Sequence, residues 1–109
     1  MPYDPGLAER LEAMVAHHSG MSEKRMFGGI VWMLHGNMCV GIHKEWLVIR
    51  VGVEATEKIF REPHVKPMDI TGKVLKGWAM VAPDGLEDDA ALKRFCMLAM
   101  DFVKTLPKK

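Results

Sequence analysis

Two adjacent glycines in Met26-Phe27-Gly28-Gly29 stand directly before the apolar run Ile30-Val31-Trp32-Met33-Leu34. Such a pair marks backbone that needs positive φ or a very close neighbour, here a bulge or tight bend that lets Phe27 pack under a sheet. The turn His35-Gly36-Asn37 and a second apolar run, Met38 to Ile42, follow at once, and the natural reading is a hairpin. The stretch is specified for shape and holds little reactive chemistry.

The flanking patterns extend this hairpin into a domain. Asp4 is a good N-cap and Pro5 suits the first helical position, so a helix is predicted from there to Ser19-Gly20, with Leu7, Leu11, Met14 and Val15 on its apolar face. A short, weak strand is predicted at Lys24 to Phe27 and the clearest one at Trp46 to Val51, after the turn His43-Lys44-Glu45. In the latter, Leu47, Ile49 and Val51 share one face and Trp46, Val48 and Arg50 the other. A short helix spans Val53 to Arg61 and stops at Glu62-Pro63, because the residue before proline avoids the helical region. Pro63 to Gly72 reads as an ordered loop, Val74 to Ala82 as a second long strand, and Glu87 to Leu106 as the last helix, ahead of a solvated Lys108-Lys109 tail. The expected fold is a single two-layer α+β domain over residues 1–109, with a mainly antiparallel sheet and the first and last helices on one face.

Size and charge narrow the function classes. With 109 residues and 49% apolar content the chain builds one modest core. No apolar run approaches the roughly 20 residues of a membrane crossing, and the N-terminus lacks the features of an export signal, so a cytoplasmic protein is expected. A net charge of +1 provides no global attraction to nucleic acid. The densest basic segment sets Arg61, Lys66, Lys73 and Lys76 against Glu62 and Asp69, and the last helix sets Lys93, Arg94 and Lys104 against Asp89 and Asp101. Direct DNA binding would therefore be weak and salt-sensitive.

No set of residues reads as a reactive centre. Cys39 and His43 are an even number apart, hence on one strand face, yet four residues separate them by roughly 13 Å. Cys39 and Cys96 read as buried thiols in a reducing compartment, and Met33, Met38, Cys39 and the histidines lack the spacing of a metal site, so no metal or cofactor is expected. Gly28-Gly29 lacks the further glycines and following helix of a phosphate loop. What remains is surplus apolar surface. Trp46, Val48, Trp78 and Met80 share a sheet face, and Met97 and Met100 widen the stripe of the last helix; this surface is expected to form a homodimer contact and a groove for a protein partner.

The words Met26-Phe27-Gly28-Gly29, Gly36-Asn37-Met38, Arg50-Val51-Gly52, Pro63-His64, Lys66-Pro67-Met68-Asp69, Gly72 and Lys76-Gly77-Trp78 occur in that order. Together they resemble the N-terminal domain of the TfoX/Sxy family of bacterial competence regulators, over about Tyr3 to Leu106. The resemblance implies a small, mostly antiparallel α+β module similar to secretion-chaperone folds that pair as dimers. It also implies a role in transcriptional activation of competence genes alongside a cyclic-AMP receptor-type regulator, and it supplies no catalytic residues. Full-length members carry a second, helical domain; the sequence here ends at Lys109 and is expected to act as a stand-alone domain.

Overall fold

Backbone with positive φ at both His35 (52°) and Gly36 (84°) closes the central hairpin in the sense that matches strand twist. In the computed structural model, which describes residues 3–26, 28–69 and 72–109, the elements run α1 (Pro5–Val15), β1 (Met21–Met26), β2 (Gly29–Leu34), β3 (Asn37–His43), β4 (Trp46–Arg50), α2 (Val53–Ile59), β5 (Val65–Pro67), β6 (Trp78–Val81) and α3 (Asp89–Val103). The strands form one antiparallel sheet in the order β1-β2-β3-β4-β6-β5. This is the α+β architecture that the hairpin turns and helix patterns predict.

Local chemistry explains the helix ends. The Asp4 carboxylate accepts from the backbone N–H of Gly6 at 2.9 Å and Leu7 at 3.3 Å, and Asp88 caps α3 by accepting from Ala90 N–H at 2.9 Å. Gly52, at φ 89°, opens α2. A Cβ there would lie 2.6 Å from the Phe102 ring, so both conformation and space require glycine.

One core joins helices to strands. Leu7, Leu11 and Val15 of α1 and Leu92, Phe95, Cys96, Ala99 and Val103 of α3 cluster with Ile30, Trp32, Val40, Ile42, Leu47, Ile49, Ala79 and Val81 of the sheet. Helix α3 lies against β3 and β4, α1 against α3, and α2 against β6. Burying each of the larger side chains contributes about 2 kcal/mol, opposed by conformational entropy of comparable total size.

Several boundaries differ from the sequence expectation. The strand expected over Val74 to Ala82 begins only at Trp78, because Trp78 N–H donates to Leu75 C=O in a turn and leaves Val74 and Leu75 outside the ladder. The supposed loop contributes β5, whose Pro67 pairs with Ala79. Strand β1 starts earlier than expected, at Met21, while α1, α2 and α3 are each shorter than their patterns suggest. The C-terminal tail folds back, with Lys109 N–H donating to His35 C=O at 2.9 Å, though its side chains remain exposed.

Strand β3 carries an irregularity that sequence periodicity misses. Trp32 pairs with Val40 but Met33 pairs with Met38, leaving Cys39 as an unpaired extra residue. The bulge moves Cys39 into the core cluster, whereas His43 pairs with Trp46 on the other side of the sheet. The two therefore do not share a face as their even spacing implied.

Candidate functional site

Cross-strand register sorts the side chains opposite the core. Val31, Gly41, Val48, Met80 and Lys66 follow one another across the sheet, and beside this row Met33, Met38, Arg50 and Trp78 lie on the same face. Gly41 sits within that row, between Val31 and Val48. It contributes no side chain, and a Cβ there would come within 2.8 Å of the Ile30 carbonyl oxygen. The result is a depression over the sheet centre.

The segment after β5 turns that depression into a cavity. Leu75 N–H donates to Met68 C=O at 2.9 Å and Gly72 N–H donates to Asp69 C=O at 3.0 Å, which ties residues 68–69 to 72–75 as the two described ends of a strap. Met68 and Leu75 of the strap face Met26, Val31, Met38, Val48 and Trp78 of the sheet around a space of about 320 Å³. The lining is almost wholly apolar. Among the described residues that line it, His43 is the one titratable side chain, and burial first and the Lys44 charge second hold its pKa below the usual imidazole range.

Cations stand around this apolar space. The Arg50 guanidinium lies 5.6 Å from the centre of the Trp78 ring, and its Nη1 donates to Met38 C=O at 3.4 Å, so it touches two of the walls. Lys66 Nζ lies 4.5 Å from the centre of the Trp46 ring. The ion pairs among the described residues are Arg10–Asp89, Arg94–Glu62 and Lys104–Asp101, none of which uses Arg50 or Lys66.

The residues singled out in the sequence divide between this site and its supports. Met26, Gly29, Met38, Met68 and Trp78 line the cavity, so four of the family words meet there. A fifth, Arg50-Val51-Gly52, is tied to the Lys76-Gly77-Trp78 word, where Gly77 C=O accepts from Val51 N–H at 2.9 Å and Gly52 N–H at 3.0 Å. Gly36 and Asn37 are structural. Buried Asn37 donates through Nδ2 to Pro107 C=O at 2.9 Å, and Gly36 leaves room for Lys109. Gly28 takes φ 72° beside β2, Pro67 belongs to β5, and Asp69 forms the strap turn. The expected packing of Phe27 lies outside the described residues.

Of the residues expected at an interface, Trp46, Val48, Trp78 and Met80 do share a sheet face. Val48 and Met80 are already buried by the chain itself, while Trp46 and Trp78 are half-buried. Met97 is 39% exposed on α3. Met100 is a correction: it is buried in the core, because it lies four residues after Cys96 and three before Val103 on the same helical face. Val31, Gly41 and Leu75 were not singled out as site residues. A lone glycine inside an apolar strand run was the available signal for Gly41.

Both thiols are buried. Burial pushes Cys39 and Cys96 up to about 12, with Arg50 partly offsetting the rise at Cys39 and the neighbouring Cys39 adding to it at Cys96. A thiol so held is protonated at neutral pH and a poor nucleophile. Among the described residues no three His, Cys, Asp or Glu side chains gather as a metal set, and no helix is long and apolar enough to cross a membrane.

A six-stranded antiparallel sheet with three helices, carrying an apolar cavity opposite its core, defines an α+β domain whose distinguishing feature is shape. The model of the TfoX N-terminal domain family matches residues 13–103, and the chain belongs to that family. No curated protein and no solved structure matches it.

Proposed function

We propose that the chain is a non-enzymatic, cytoplasmic protein-interaction module in transcriptional regulation of the TfoX/Sxy competence type, binding a regulatory protein and pairing with a second copy of itself. The observation that carries this reading is the convergence of the family words on an apolar, methionine-rich site whose strap exposes Val74 and Leu75 to 62% and 39%. Flexible thioether side chains adapt to a partner, and exposed apolar residues beside a cleft supply the contact that a partner desolvates. Family membership supports the regulatory setting. Arg94 on α3 and Lys104 at its C-cap are engaged by Glu62 and Asp101, which favours a protein partner over DNA phosphates.

The test is direct binding to a cyclic-AMP receptor-type regulator, read by biolayer interferometry, with a gel-shift series across salt run beside it. Saturable binding to the regulator, with no retention of free DNA at 150 mM salt or so, is the expected result. Binding to DNA alone, or to neither, contradicts the reading.

A further inference from the structure

We propose that the cavity beneath the strap is a binding site for a small amphipathic acid: an apolar body of about a dozen heavy atoms inside, and an anionic head at Arg50. Size comes first. A dry cavity of roughly 150 Å³ holds benzene, so the space of about 320 Å³ here suits a molecule about twice that large. Its walls are aliphatic, thioether and indole, and His43 is held toward its neutral form. Water finds few partners in such a space, and an apolar occupant gains by displacing it.

The charge at the rim selects the head group. Arg50 contacts the Trp78 and Met38 walls at once, and no carboxylate pairs with it among the described residues. Its Met38 bond engages only one of its five N–H donors at 3.4 Å, so a bidentate carboxylate can be accommodated. The surroundings favour the same sign. Lys24 lies opposite Val31 on the cavity face, Lys66 lies opposite Met80, and the strap and its C-terminal end set Asp69 against Lys73 and Lys76. An apolar pocket with a cationic mouth excludes cationic amphiphiles and holds anionic ones. Leu75 is at once a wall and an exposed strap residue, so an occupant also sets the shape of the outer surface. The site does not depend on the partner reading above.

The probes are decanoate and its uncharged counterpart decanol, titrated into the full chain below their micelle-forming concentrations. Isothermal calorimetry gives affinity, and methionine methyl NMR gives location. Decanoate is expected to bind at one site with Kd on the order of tens of micromolar, and decanol about tenfold more weakly. The methyl signals of Met26, Met38 and Met68 should shift, and that of Met97 on α3 should not. R50Q should remove the preference for the acid, and M38W should block both probes while its thermal unfolding stays cooperative. Equal affinity for the two probes overturns the anionic assignment. Absence of saturable binding, unaltered binding in M38W, or shifts at Met97 matching those of Met38 overturns the site itself.

Discussion

Gly29 shows how a single residue fixes the site. Its backbone conformation is ordinary, yet a Cβ at this position would run into the Ile42 carbonyl oxygen, part of the rigid ladder rather than the end of a mobile side chain. G29A should therefore cost about 2 kcal/mol, read as a lower urea midpoint with an unchanged slope. The cysteines make the opposite point about reactivity. With both thiols pushed up to about 12, the folded chain should leave Cys39 and Cys96 unmodified by a disulfide reagent at pH 8, and both should react once the chain is unfolded in urea. The linkage has a definite sign. Because the folded values are raised, the stability that the protonated thiols contribute is present below the unfolded value near 8.5 and is lost as pH rises from there toward 12. Rapid modification of the native protein would contradict the burial described here.

Elements were legible where one chemistry decides them. Asp4-Pro5 caps α1 as its residue types dictate, and His35-Gly36-Asn37 turns the chain where expected. The bulge at Cys39 was hidden because Met38 to Ile42 is apolar on both faces, so alternation sets no register there. The strap was hidden for a related reason: Val74 and Leu75 have strand-like side chains, and only the Leu75–Met68 and Trp78–Leu75 hydrogen bonds show that they leave the sheet. The cavity itself needed tertiary structure, since its walls come from β1, β2, β3, β4, β6 and the strap. Asn37 tests one such long-range tie. N37A leaves the Pro107 carbonyl without its partner and should lower stability by about 1–2 kcal/mol, with faster amide exchange at Lys109 as the specific sign. Equal exchange in variant and wild type would show that the tail is held by other means.

At the scale of the whole molecule, the sheet divides two kinds of work. The core cluster takes in residues of α1 and α3 and both cysteines, and the sheet face opposite it holds a hollow, cation-rimmed site where four of the family's words meet. The proposed partner and the proposed small acid both use that second side, one through the outer surface of the strap and the other beneath it. Deleting a core side chain should affect recognition only through folding. L11A, at a fully buried position, should cost about 2–5 kcal/mol while its remaining folded fraction binds as wild type does. The most direct measurement is the affinity of L75D and C39A for the cyclic-AMP receptor-type regulator, set beside the wild type under conditions where all three are folded. Recognition through the apolar strap predicts a loss of at least about tenfold for L75D and little change for C39A; undiminished binding by L75D, or selective loss with C39A, would contradict it.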